Sequence, residues 1–144
     1  MKPLDIFISP NITAQLVALG VAAKTHNNYR VFHQKEWYLF SAHFDPLQLY
    51  KTIEGLPFQN SPYTEYPAFT LEELVPLIPG FCMVYENGQY TVCGDKIFDM
   101  PCITDKKAVD AAGMLLTRCI LQRILKVETI NNSLKQTLNK EYGS

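Results

Sequence analysis

An α+β fold with an antiparallel sheet follows from three features of this chain. The stretch from Phe81 to Cys93 sets alternating strand formers symmetrically about Asn87-Gly88, a pair that favours a two-residue hairpin turn with both central residues at positive φ. A second stretch, Tyr29 to Phe40, is rich in aromatic and β-branched residues, with Gln34-Lys35-Glu36 at or near its turn. Helix-start signals precede apolar segments elsewhere, three of them short and one, from Thr104, long. Together these predict one antiparallel sheet built from two hairpin or meander units, packed against a long C-terminal helix plus short helices.

In the Asn-Gly hairpin the register follows from the turn: Glu86 opposes Gln89, Tyr85 opposes Tyr90 and Cys82 opposes Cys93. Because side chains alternate along a strand, Phe81, Met83, Tyr85, Tyr90 and Val92 form an apolar face, and Cys82, Val84, Glu86, Gln89, Thr91 and Cys93 a more polar one. Gly94-Asp95 can turn the chain again, so Lys96-Ile97-Phe98 is the expected third strand.

The short helices are read from their ends. Ser9 as N-cap, Pro10 at the first helical position and Gly20 as the stop predict a helix over residues 10–19. Asp45-Pro46 and Gly55 predict another over 47–54. Residues 56–68, with Pro57, Pro62 and Pro67, read as an irregular connection. Thr70 and Glu73 form a capping box ahead of a helix that ends before Gly80. Thr104 then caps the longest helix, where Val109, Ala112, Leu116, Cys119, Ile120 and Ile124 mark a wide apolar stripe. Beyond residue 126 the stripe narrows, and Leu116, Ile120, Arg123, Val127, Ile130, Leu134 and Thr137 recur as a heptad-like seam broken by Arg123 and Thr137. The expected division is a domain over residues 1–126 and a helical extension over 127–144, whose seam suits a second copy of the chain.

At 144 residues and 47% hydrophobic, the chain is long enough to bury a core without staples. Four cysteines, at 82, 93, 102 and 119, contain no C-x-x-C pair and follow no secretory signal, which predicts free thiols in a reduced cytosolic interior. Oxidation of Cys82 with Cys93 is compatible with their register, though folding does not need it. The most apolar stretch, residues 108–127, carries Asp110, Arg118, Arg123 and Lys126, charges too costly for a membrane span. Net charge is −1, with a mild acidic bias over 71–103 and a basic one over 104–144. Bases such as Lys106, Lys107, Arg118 and Arg123 spread around their helix, which argues against nucleic acid as the partner.

No catalytic, metal or cofactor set stands out. His26, His33 and His43 and the cysteines lack the close spacings of zinc sites, and no glycine-rich phosphate loop occurs. Asp95, Asp99, Asp105 and Asp110 read as turn and helix-start acids. The aromatic residues Trp37, Tyr38, Tyr63 and Tyr66, beside the proline-rich connection, are the candidate contact surface, joined by Val127, Ile130 and Leu134 in the tail.

From Pro67 through Leu125 the chain resembles small uncharacterised proteins encoded by phages and prophages of gut Bacteroides-type bacteria. The likeness rests on Ala68-Phe-Thr-Leu-Glu-Glu-Leu, the strand pair from Phe81 to Cys93, and the segment Thr104-Asp-Lys-Lys-Ala-Val-Asp-Ala-Ala with its continuation Gly-Met-Leu-Leu-Thr-Arg-Cys-Ile. The resemblance implies a small α+β accessory protein of the bacterial cytoplasm and supplies no catalytic residues. The leading expectation is a non-enzymatic protein that acts by protein–protein contact, as a homodimer or with one partner. The competing one is a small-ligand or nucleotide-binding protein, in some cases an enzyme, with its pocket between Trp37, Tyr38 and the 56–68 connection.

Overall fold

The computed structural model describes residues 6–22, 28–33, 36–41 and 64–142. Helix α1 spans Pro10–Ala18. Strands β1 (Asn28–His33), β2 (Glu36–Ser41) and β3 (Thr64–Pro67) follow, then the short helix α2 (Leu71–Leu74), which runs into a 3-10 turn at Val75–Leu77. Strands β4 (Cys82–Glu86), β5 (Gln89–Cys93) and β6 (Cys102–Asp105) precede helices α3 (Ala108–Leu121) and α4 (Val127–Tyr142). The mixture is α+β.

Among the described residues two antiparallel sheets take the place of the single sheet expected, with orders β2-β1-β3 and β4-β5-β6. The Tyr29–Phe40 hairpin forms as read, with Phe32 opposite Trp37. Part of the supposed irregular connection is ordered, since β3 pairs with β1 and sets Tyr66 opposite Arg30. The helix expected over 47–54 lies outside the described residues.

In the second sheet the Asn-Gly hairpin has the register the turn dictates, from Glu86 with Gln89 to Cys82 with Cys93. Asn87 and Gly88 take φ of 54° and 78°. The third strand differs from expectation. Residues 96–98 form a 3-10 turn because the Asp95 carboxylate accepts the Ile97 N–H, and Asp99 then reverses the chain at a φ of 55°. Strand β6 starts later, so Thr104 is a strand residue whose hydroxyl meets that of Thr91 across the ladder at 2.9 Å. It caps no helix. Asp105 performs the local capping instead, accepting the Lys107 N–H at 2.9 Å one residue before α3 starts.

This connection also brings Cys93 opposite Cys102, and the two are joined by a disulfide. The expectation of free thiols is thus corrected for this pair. The register of a strand that the sequence pattern did not reveal placed the two sulfurs together.

The core lies where α1 and α3 cross and where α3 covers β5 and β6. Ile8, Ile12 and Leu16 meet Val109, Leu115 and Leu116, with Phe69, Leu74 and Val92 closing the sides. Gly113 permits the crossing: a Cβ there would stand 2.7 Å from the Ile8 Cδ1 and 2.9 Å from the Ile12 Cγ2. Helix α3 stops at Leu121, where Arg123 adopts a φ of 61° and the N–H groups of Ile124 and Leu125 fold back onto the Cys119 carbonyl. The long helix is therefore two helices. Helix α4 returns along the domain and buries Ile130 and Leu134, 2% and 8% exposed, in the same core.

Candidate functional site

The hairpin that carries the strongest sequence signal also carries three exposed large apolar residues on one strand. Helix α3 reaches across β6 and β5, so Val92 is fully buried and Ile103 nearly so. Strand β4 projects past it. Every residue of β4 is exposed, with Met83 at 41%, Val84 at 48% and Tyr85 at 61%. The Tyr85 ring leans on Tyr90, centroids 4.7 Å apart and planes tilted by 46°, so part of the apolar face continues from the covered strand to the exposed one.

Beneath this overhang runs an open groove of about 870 Å³. Its apolar walls come from Ile6, Leu71, Met83, Tyr90 and Val109, and its polar rim from Thr70, Glu72, Lys106 and Lys107. The capping box holds one wall in place. Glu73 reaches back to the Thr70 N–H at 3.0 Å, and the Ile8 N–H bonds the Phe69 carbonyl at 2.9 Å, which fixes residues 7 and 8 beside the start of α2.

Backbone chemistry adds to the apolar surface. In a two-residue hairpin the residues flanking the turn form a hydrogen-bonded pair, and such pairs alternate along the ladder. Glu86, Val84 and Cys82 therefore direct N–H and C=O at β5, while Met83 and Tyr85 direct theirs outward. Among the described residues β4 is an edge strand, without the lysine, proline or bulge that commonly blunts an edge.

A polar cluster sits at the far end of the groove. The Asp110 carboxylate, 6% exposed, accepts the Ser9 N–H at 2.7 Å and the Ser9 hydroxyl, and the Lys107 ammonium stands 3.8 Å from it. Serine, lysine and aspartate invite comparison with a nucleophilic set, but the geometry is that of a clamp. The Ser9 hydroxyl donates to Asp110, and Lys107 Nζ donates to the Phe7 carbonyl at 3.0 Å and to the Ser9 oxygen at 3.4 Å, so these side chains tie separate segments together. The cluster joins the starts of α1 and α3. Ser9 is spent on Asp110, which is why it makes no side-chain cap to its own helix.

The structure disperses the residues singled out from sequence. Tyr66 is half-buried on β3, paired with Arg30 of β1, while Trp37 and Tyr38 belong to β2 on the other side of β1. Tyr63 and most of the 56–68 connection lie outside the described residues. Ile130 and Leu134 face the chain's own core, which corrects the idea that their seam is left over for a second copy. Val127 lies against Gly20, where an added Cβ would come within 3.3 Å of it. Met83 and Tyr85 were legible as members of an apolar face, but how far the covering helix reaches was not.

Among the described residues no three His, Cys, Asp or Glu side chains gather as metal ligands, and no helix is long and apolar enough to cross a membrane. Cys119 is buried in α3, and desolvation raises its thiol pKa above the ordinary range. No protein-family model matches this chain, and no curated protein or solved structure does so.

Proposed function

We propose that this chain is a non-enzymatic accessory protein of the phage or prophage kind, working by protein–protein contact and self-associating through strand β4. The supporting observation is an edge strand exposed at all five residues and flanked by an apolar groove. An edge of this kind is a template for another extended chain. A second copy is the occupant that fits, because β4 is self-complementary about Val84. A two-fold axis there sets Met83 of each copy opposite Tyr85 of the other, at the positions whose backbone groups point outward, and gives an isologous six-stranded sheet.

Light scattering across a concentration series tests this. The full chain should give the mass of a dimer, and Met83→Pro combined with Tyr85→Lys should give that of a monomer with unchanged circular dichroism. Proline at 83 removes an outward N–H and leaves the β4–β5 ladder bonds in place. A wild-type chain that stays monomeric at every concentration would refute the reading.

The groove itself supports a second reading, a small amphipathic ligand, since its volume lies in the range of ligand sites, roughly 300–1,000 Å³. A ligand that raises the melting temperature of the monomeric double variant would favour this reading over self-association.

A further inference from the structure

The register aligns three cysteines in one rung across the second sheet. Cys82 on β4 opposes Cys93 on β5, which in turn opposes Cys102 on β6. Cys93 and Cys102 are bridged, with Cα atoms 4.3 Å apart, and Cys82 is an exposed free thiol. The rung lies on the face away from α3, where the neighbouring Thr91 and Thr104 hydroxyls meet.

We propose that Cys82, Cys93 and Cys102 form a thiol–disulfide exchange site in which the bridge moves between the Cys93–Cys102 and Cys82–Cys93 rungs. Exchange requires a thiolate to approach a disulfide sulfur opposite the leaving sulfur. Three strands side by side supply that order: nucleophile on one neighbour, attacked sulfur in the centre, leaving group on the other. Adjacent strands stand about 4.8 Å apart, so Cys82 meets the Cys93 sulfur first, with Cys102 a full strand further away. The Cys82–Cys93 rung is a hydrogen-bonded pair, whose usual Cα separation of about 5.5 Å lies inside the range a disulfide spans.

In the step, Cys82 loses its proton to solvent and its thiolate bonds to the Cys93 sulfur. The Cys93–Cys102 bond breaks, and Cys102 leaves with the electron pair and takes a proton from solvent. One disulfide and one thiol are present before and after, so no oxidant or reductant is consumed. The step transfers the reactive thiol from one edge of the sheet to the other and releases the covalent tie between β5 and β6. It stands independently of self-association, because it uses the face of β4 opposite the groove.

Peptide mapping of the full oxidised chain tests the proposal. Cleavage after Glu86 and Lys96 separates all three cysteines, and alkylation before digestion marks whichever thiol is free. Equilibrated wild-type protein should yield both linked pairs, with Cys102 alkylated in one population and Cys82 in the other. The approach to this mixture should quicken as pH rises, since the thiolate is the attacking species. Cys82→Ser should yield only the Cys93–Cys102 pair and no alkylated Cys102. A wild-type chain in which Cys102 never becomes alkylated would overturn the proposal, and that result needs no variant to fold.

Discussion

Strands β4 and β5 belong to one hairpin and pair residue for residue, yet they live in different environments. Val92 on β5 is sealed beneath α3, while its neighbour in the ladder, Met83, is 41% exposed. Strand alternation decides which residues share a face, and the reach of the covering helix decides which of them are core. The first is local and periodic. The second is a tertiary property, set where α1 and α3 clamp together through Ser9 and Asp110.

The largest effect should come from the helix that does the covering. Leu116→Ala removes a fully buried side chain from α3 and should cost about 2–5 kcal/mol in denaturant unfolding, the range for such truncations. Asp110→Ala should cost about 2–3 kcal/mol, since it strands the two Ser9 donors that the carboxylate accepts. Restoring the hydrogen-bond acceptor with Asp110→Asn should recover part of that loss. Within the hairpin, Val92→Ala should cost about 2 kcal/mol by the same burial argument.

Cys119 makes a smaller, pH-dependent contribution. Its thiol pKa is raised by desolvation, so the fold favours the protonated form. That stability is fully present below the unfolded thiol pKa and is lost as pH rises through the folded one. Cys119→Ala should therefore flatten the alkaline limb of the stability curve, measured by chemical denaturation across that range. Val84→Ala on the exposed strand, measured in the monomeric Met83→Pro, Tyr85→Lys background, should change stability by less than about 0.5 kcal/mol. A loss there equal to that at Val92 would show that β4 is covered in solution and would erase the contrast.

What the sequence revealed was local. The Asn-Gly register, the Ser9-Pro10 start of α1 and the Thr70–Glu73 capping box depend on residues close in the chain, and each appears as read. The errors came from residues that serve two local patterns equally well. Thr104 before Asp-Lys-Lys-Ala resembles an N-cap, but its pairing with Thr91 made it a strand residue. Arg123 ends α3 in a left-handed conformation usually left to glycine, so nothing in the pattern signalled the break that sends Ile130 and Leu134 back to the core. The Cys93–Cys102 bridge was hidden for the same reason as β6. The candidate site was half legible: its apolar face could be read, and its exposure could not.

Asn131 binds the end of α1 at both its amide atoms, donating to the Gly20 carbonyl at 3.0 Å and accepting the Ala22 N–H at 2.7 Å. With the Ser9–Asp110 clamp, this means that α1 finds its partners more than 100 residues further along the chain. During synthesis at about 5–20 residues per second, that helix must wait roughly 5–20 s for them to emerge. Long-range closure of this kind also slows folding of the finished chain. The apolar side of α1 is thus a surface that a nascent chain must shelter until α4 has left the ribosome and completes its cover.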